Sequence, residues 1–407
     1  MSEEGDLRRE NARLRLELES AKREVEVLRM ALEDHSFRSS PSGTSSGQQR
    51  SPSSQDQLHL PPAGERGTTS TGEEEDAGRR AKKKKKVRVE MCENGPDFTA
   101  CPYVYVSLKL AYLGWAYHGF ARLKHLEETV EEKFFNAVKR SRLIPPQCDP
   151  VADLDYSRCG RTDKGVSASG QVISLKLRGA SGGQPPLDYV NLINRHLPDD
   201  IRVLRCLEGA SPEFNARFDS KGRHYKYFFV QDGSYDVEAM NAAAACFLGE
   251  HDFRNFCKRD ENAQTYLRRI DACYIEDVSE VYDSESDEKM YALNVIGSAF
   301  LWHQVRCMAS VLFSVGQGQL EEKDIRRYLN PAEQPRRPNY TMAKEEPLLL
   351  YRCMFDDLKE DQLALSALAR KRLESHLQSL QRNLRIRLQL VKEIFLTSRG
   401  ASESANQ

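Results

Sequence analysis

The chain is organised around Ser157-Arg158-Cys159-Gly160-Arg161-Thr162-Asp163-Lys164-Gly165-Val166. This stretch combines two glycines, three cationic side chains and one carboxylate, and a run with the pattern of a strand follows it at 171–177. The glycines permit positive φ and the close approach of another backbone, while the three cations surround Asp163 with positive charge. A carboxylate held in this way stays ionised and can act as a nucleophile, so we predict a tight functional loop. A solvated turn with a weak surface ion pair is the alternative interpretation.

The composition indicates a globular protein of two or three domains. The chain has 407 residues, of which 39% are hydrophobic, and a formal net charge of -1, so only local clusters could attract a nucleic acid. Its ten cysteines contain no C-x-x-C pair, which argues for a reducing compartment and against both a structural zinc site and a disulfide scaffold. Because no apolar run approaches the roughly 18 residues of a membrane span, we expect a soluble intracellular protein without a membrane partner.

The first segment, 1–35, is predicted to form a coiled coil. Between Leu7 and Leu32 apolar residues recur on a heptad, and Asn11 at a core position would favour a parallel dimer. We therefore predict a homodimer. The alternative is a single helix that packs on its own domain.

The following segment, 36–98, is rich in Ser, Pro, Gly and charge and is predicted to be a disordered linker. It contains the lysine run Lys82–Lys86. Such a run is typical either of a nuclear localisation signal or of an electrostatic arm for RNA, and both can be true. We predict a nuclear protein and leave a cytoplasmic pool open.

From residue 103 onward the pattern predicts alternating strands and helices. Thr129 with Glu132 forms a capping box, and Asp236 is a further N-cap. The predicted strands are 104–110, 171–177, 201–207, 221–230, 270–276 and 290–296; the predicted helices follow the two caps and occupy 300–315 and 362–396. The last helix is interpreted either as a packing helix or as part of an RNA surface.

The strand at 221–230 interleaves basic and aromatic residues. Its period of two places Arg223, Tyr225, Tyr227 and Phe229 on one face. This arrangement suits bases that stack above a charged backbone, whereas the alternative is that the aromatic residues simply belong to the core.

The helix at 300–315 is mostly apolar but contains Arg306. The residues one turn away from Arg306 include no acid, so its guanidinium must find a carboxylate elsewhere in the chain.

Three motifs together resemble the TruA family of tRNA pseudouridine synthases. They are the loop 160–166, a second motif made of the two neighbouring segments 216–218 and 223–227, and the stretch 300–306. Their order and spacing match, and the resemblance covers roughly residues 103–356. Ser167 stands where bacterial members usually have His. With the stretch 300–303, this is similar to the eukaryotic branch that modifies uridines 38 and 39 of the anticodon arm.

The resemblance implies an α/β (α+β) pseudouridine synthase fold in which two subdomains, 99–235 and 236–356, contribute antiparallel sheets joined around a basic cleft. A helical segment, 357–399, follows. It also implies that tRNA is the substrate and that neither a metal nor an organic cofactor is needed.

The same resemblance assigns the site residues. Asp163 is the nucleophile, Arg161 helps to hold the flipped uridine, Tyr225 packs against the base and is a candidate to take the C5 proton, and Arg306 pairs with Asp163. The residues assigned to substrate binding are Arg158, Arg161, Lys164, Arg217, Arg223, Tyr225 and His303. Two other classes were weighed: a non-catalytic RNA-binding protein on the same fold, and a coiled-coil adaptor.

Overall fold

The computed structural model describes residues 96–208, 211–259, 264–279, 289–356, 358 and 364–403. The predicted coiled coil and the lysine run lie outside these residues. Within them, nine strands form one sheet. The strands are β1 (Tyr103–Tyr112), β2 (Ser157–Arg158), β3 (Ser167–Arg178), β4 (Ile201–Glu208), β5 (Ser220–Gln231), β6 (Gly249–Asp252), β7 (Leu267–Asp277), β8 (Lys289–Gly297) and β9 (Leu348–Phe355).

The sheet is continuous and mixed. Its order is β4-β1-β3-β9-β5-β8-β7-β6, with β2 paired to β3, and the β3–β9 pair is parallel, whereas the other pairs are antiparallel. The expected pair of antiparallel sheets is therefore corrected to a single mixed sheet whose two antiparallel halves meet at β3 and β9. Strand β5 comes from the predicted first subdomain, 99–235, and lies in the half that contains β8.

The helices are α1 (Val130–Arg140), α2 (Pro150–Asp153), α3 (Tyr189–Asn194), α4 (Val237–Ala244), α5 (Gln304–Gly316), α6 (Glu322–Leu329) and α7 (Ala367–Glu403). Both predicted N-caps are present, but the Glu132 side chain pairs with Arg122 at 2.8 Å, so the predicted capping box is only half formed. The Thr129 side chain accepts the Glu132 N–H at the start of α1, and Asp236 accepts the Ala239 N–H at the start of α4.

Helices pack on each half of the sheet. Helix α3 contacts β4 and α1, whereas α4 contacts β7 and α5, and α5 contacts β5. The core is rich in aromatic residues: Phe134, Phe247 and Phe256 have no exposed surface. In the predicted aromatic strand, Tyr227 and Phe229 pack against Phe313 of α5, so these two belong to the core.

Helix α5 begins four residues later than predicted, at Gln304. His303 adopts a left-handed backbone conformation with φ 66°, and the Gln304 side-chain oxygen accepts the Leu301 N–H. Residues 300–303 are therefore a loop in front of the helix. This loop lies against the predicted catalytic residues.

Helix α7 packs, through its first turns, on the half of the sheet that contains β4. Ser366 donates to Asp188 Oδ2 at 2.6 Å, and the His376 ring lies 2.8 Å from the Asp199 carbonyl oxygen. Farther along, large apolar side chains are exposed. No described helix is both long enough and apolar enough to cross a membrane.

Candidate active site

The register of the sheet brings the predicted catalytic loop and Tyr225 together. Strand β3 begins directly after the loop, and its Ala168 lies opposite Leu350 of β9. Leu350 in turn lies opposite Tyr225 of β5. Tyr225 is therefore two strands away from the end of the loop that carries Asp163, although the two residues are far apart in sequence.

Buried polar groups hold the loop in place. The Gln171 amide, which has no exposed surface, donates to the Gly160 carbonyl at 2.9 Å and accepts the Gly160 N–H at 3.3 Å. The Thr162 hydroxyl lies 2.8 Å from the Tyr112 hydroxyl, and its carbonyl accepts the Phe120 N–H. Because each polar group at these positions has a partner, the loop backbone is fixed.

Gly165 has the positive φ that the sequence predicted, but the group that approaches it closely is a side chain and not another backbone. Its φ is +79°, and a Cβ there would lie 2.5 Å from Glu345 Cγ. The segment that carries Glu345 thus packs directly against the loop.

Asp163 lies at the base of a cavity and has a perturbed acidity. Its side chain is 28% exposed. Burial raises the pKa of Asp163 to about 6, and the positive charge of Arg306 opposes that rise. At pH 7 about nine tenths of the carboxyl is therefore ionised, as nucleophilic attack requires.

His303 contacts Asp163 as a neutral imidazole. Its Nε2 lies 3.6 Å from Asp163 Oδ2. Burial, helped by the charges of Arg306, Lys258 and Arg337, lowers the pKa of His303 to about 4, so the pair carries only the charge of the carboxylate at neutral pH.

Arg306 pairs with a carboxylate that is distant in sequence, as predicted, but this carboxylate belongs to Glu345 and not to Asp163. Its side chain is 8% exposed, its Nη2 lies 2.6 Å from Glu345 Oε2, and its Nε donates to the Ala343 carbonyl at 2.8 Å. Among the ion pairs of the described residues, none joins Arg306 to Asp163. The predicted direct contact is therefore wrong in this structure, because Glu345 occupies the guanidinium. Arg306 acts on Asp163 through its charge and by holding Glu345 beside the loop.

Tyr225 forms a wall of the same cavity. It is 9% exposed and packs edge-to-face on Phe300, with ring centroids 5.1 Å apart. Burial raises the pKa of its hydroxyl well above the usual value, so the group is protonated at neutral pH.

Two adjoining spaces make up the site. The catalytic cavity, of about 340 Å³, is lined by Arg161, Asp163, Tyr225, Phe300 and His303, among others. A larger cleft of about 820 Å³ shares Arg161, Tyr225 and Phe300 with it and is also lined by Arg158, Arg217 and Arg223. The predicted basic cleft thus opens next to the predicted nucleophile.

The cations of the cleft differ in their availability. Arg161, Lys164 and Arg217 are exposed, although Lys164 lines neither space. Arg158 pairs with the buried Glu131, and Arg223 donates to the carbonyls of Cys159 and Ser298 at 2.7 and 2.9 Å.

The prediction that the loop's own cations surround Asp163 is therefore corrected. Arg158 neutralises a different acid, while Arg161 and Lys164 face solvent. Arg306 and Lys258 supply the positive charge that acts on Asp163.

Sequence reasoning missed Gln171, Glu345 and Lys258. Lys258 Nζ lies 4.2 Å from the centroid of the Trp302 ring at the cavity wall. Of these three residues, only Gln171 had a signal in the sequence, because it is a polar residue in a strand that is buried on both faces. Among the described residues, no three His, Cys, Asp or Glu side chains are grouped so as to hold a metal ion.

Comparison with known proteins places the chain among RNA-modifying enzymes. Residues 243–356 match the family model described as tRNA pseudouridine synthase. The chain is 41% identical over 284 residues to the mouse protein named tRNA pseudouridine(38/39) synthase, a match that covers 65% of this chain and 58% of the mouse protein. The chain therefore spans less than two thirds of that relative.

Two archaeal relatives are covered more fully. The protein named tRNA pseudouridine synthase A from Methanosarcina mazei is 33% identical over 56% of this chain and 76% of its own length. The protein of the same name from Methanothermobacter thermautotrophicus is 37% identical over 54% of this chain and 71% of its own length. On these matches, and with the loop, cavity and cleft just described, the chain belongs to the TruA-type family of tRNA pseudouridine synthases.

Proposed function

We propose that the protein isomerises uridine to pseudouridine in the anticodon stem-loop of tRNA, at positions 38 and 39. The observation that carries the proposal is the position of Asp163 in a cavity that Tyr225 also lines and that adjoins an arginine-lined cleft. The mouse relative, which is named for positions 38 and 39, supports the choice of site.

The reaction breaks the bond between N1 of uracil and C1′ of the ribose, rotates the base and forms a bond between C5 and C1′. The proton on C5 leaves and N1 gains one, so the overall change is an isomerisation. The target nucleotide must first leave the helical stack to reach the cavity. Asp163 then forms a covalent intermediate with the sugar or the base, which is a step that an ionised carboxylate can perform unaided.

The other residues position the nucleotide. In this proposal Tyr225 packs against the uracil ring, and its hydroxyl, which is protonated at neutral pH, can act as a proton donor. Arg161 is exposed at the junction of the cavity and the cleft, where it can hold the flipped nucleotide. His303 is neutral and contacts the nucleophile without neutralising it.

The cleft supplies the RNA contacts. Arg217 and Arg161 have exposed guanidinium groups that can reach phosphates, whereas Arg158 and Arg223 are held by protein partners and shape the wall. Binding should therefore weaken as the salt concentration rises.

A direct test uses purified full-length protein and an unmodified tRNA transcript. Because the two isomers have the same mass, the RNA is first labelled with a carbodiimide that marks pseudouridine. Mass spectrometry should then locate the label at positions 38 and 39, and transcripts with cytidine at both positions should carry no label there. A non-catalytic RNA-binding protein would bind the transcript without converting it, and a coiled-coil adaptor would do neither.

The protein also associates with a second copy in this proposal. Helix α7 exposes nine large apolar side chains: Leu368, Leu377, Ile386, Leu388, Leu390, Val391, Ile394, Phe395 and Leu396. The proposed contact is the pairing of the heptads of residues 1–35 with those of a second copy, and the exposed apolar side chains of α7 offer a further surface for association.

Light scattering tests the association. Deleting 1–35 should produce a monomer that retains its catalytic rate, and an unchanged dimer would mean that the core dimerises alone.

Nuclear localisation rests on Lys82–Lys86 and is tested by replacing these lysines with glutamine, which should move the protein to the cytoplasm.

A further inference from the structure

Phe218 has the highest exposed fraction, 75%, of any large apolar side chain in the described part of the chain. It lies at the rim of the arginine-lined cleft, next to Arg217, whose guanidinium carbon is 5.3 Å from the centroid of the Phe218 ring. Isolated exposed apolar residues are common on protein surfaces. The loop that carries Phe218, however, is built to hold it outward.

Three anchors fix that loop. Phe214 is 9% exposed, its ring packs against that of Phe355 with centroids 5.4 Å apart, and its carbonyl accepts the Tyr105 hydroxyl at 2.8 Å. Ala216 is fully buried, and its N–H donates to the Ser157 hydroxyl at 2.9 Å.

The third anchor is a side-chain turn. Asn215 Oδ1 accepts the N–H groups of Arg217 and Phe218 at 3.0 and 3.2 Å, and the Asn215 N–H donates to Asp219 at 2.7 Å. The backbone at the inward positions 214 and 216 is thus held in place. The outward positions 217 and 218 face the cleft, and their backbone loses little conformational entropy on binding.

The chemistry of the cleft selects the ligand. Its lining includes four arginines, Arg158, Arg161, Arg217 and Arg223, and no Asp or Glu. Of these arginines, Arg161 and Arg217 are exposed, so a flat aromatic ring beside them suits a nucleobase of an RNA strand whose phosphates contact these two residues. The cleft shares Arg161, Tyr225 and Phe300 with the catalytic cavity, so a base on Phe218 lies in the strand that enters that cavity.

We infer that Phe218 is a stacking platform for an unpaired nucleobase that neighbours the target uridine in the same RNA strand. The platform holds the strand in register while the target occupies the cavity. This inference rests on the proposed function, since it needs an RNA in the cleft.

The test compares the binding of anticodon stem-loop RNA by full-length variants in the Asp163→Asn background, which leaves the RNA unconverted. Phe218→Ala should weaken binding about 5- to 100-fold, the loss typical of one stacked base. Phe218→Tyr should bind normally. Tyr103→Ala is the matched control, because Tyr103 is an exposed aromatic residue, 42% exposed, that lines neither space.

Two readouts separate stacking from a general loss of structure. The salt dependence of the dissociation constant should be unchanged in Phe218→Ala, whereas Arg217→Gln should reduce its slope by about one, as for one lost phosphate contact. An RNA with an abasic site at the stacked position should bind the parent and Phe218→Ala equally. Abasic sites elsewhere should preserve the difference.

The inference is overturned if Phe218→Ala binds RNA as tightly as the parent, or if no abasic position abolishes the difference between them. The first result would show that the exposed ring does not contribute to RNA binding. If the wild-type chain neither binds nor converts tRNA, the proposed function fails instead, so the two failures are distinguishable.

Discussion

Arg306 and Glu345 should shift the pH dependence of turnover in opposite directions. Arg306 holds down the pKa of Asp163, whereas the negative charge of Glu345 raises it. An opposite charge at about 4–6 Å lowers the pKa of a carboxyl by about 1–3 units, and the effect of Arg306 is partly cancelled by the bound Glu345. We therefore expect Arg306→Met to move the acidic limb of the kcat profile from near pH 6 upward by about one pH unit.

Glu345→Gln is the matched control because it removes the opposite charge at the same ion pair. Its acidic limb should move downward, by less than one pH unit on the same argument. The double variant Arg306→Met/Glu345→Gln should return toward the wild-type profile. Single-turnover rates between pH 5 and 8.5, measured at saturating enzyme, give the ionisation in the complex without interference from RNA binding.

Both single variants should also lose stability, since each breaks the pair. Arg306→Met leaves Glu345 without its partner and should cost about 2–3 kcal/mol, less than for a fully buried pair because the Glu345 side chain is 29% exposed. A general loss of structure would lower activity at every pH. Shifts of the same sign in both variants, or no shift in either, would refute the electrostatic role of Arg306.

Three further outcomes are expected. Asp163→Asn should stabilise the fold by about 2 kcal/mol at pH 7.5. The pKa of Asp163 is raised in the folded protein, so the stability that this residue contributes is present below about pH 4 and is lost as the pH rises through about 6. The gain of the variant in urea denaturation should therefore vanish at pH 4, and an equal gain at pH 4 and pH 7.5 would contradict this explanation. Tyr225→Phe keeps the packing on Phe300 and should reduce kcat by about 10²- to 10⁴-fold at unchanged affinity, whereas intact turnover would mean that Tyr225 only packs. Gln171→Leu leaves the Gly160 N–H and carbonyl unpaired and should cost about 2–3 kcal/mol in chemical denaturation; wild-type stability would show that water replaces the amide.

The elements with strong local signals were predictable. The caps at Thr129 and Asp236 act within one helical turn, so their residues carry the whole signal. The signal of the glycine-containing loop before β3 is similarly local. The parallel pairing of β3 with β9 was not predictable, because it joins Ala168 to Leu350 across the chain and leaves no local pattern.

The partners of charged residues were the least predictable feature. The burial of Arg306 required a carboxylate, but the chain has 61 acidic residues and nothing local distinguishes Glu345. The acidity of Asp163 followed the same logic. The cations beside it in sequence suggested stabilisation of the charge, yet Arg158 turns to Glu131, and the burial of Asp163 dominates.

We propose that Asp163 is the nucleophile of a uridine isomerisation in tRNA. The most direct measurement compares wild-type protein and Asp163→Asn for both pseudouridine formation and tRNA affinity in the same preparation. We predict that the variant forms no pseudouridine while its dissociation constant for tRNA stays within about twofold of wild type, because the cleft arginines remain. Pseudouridine formation by the Asp163→Asn protein would contradict the assignment.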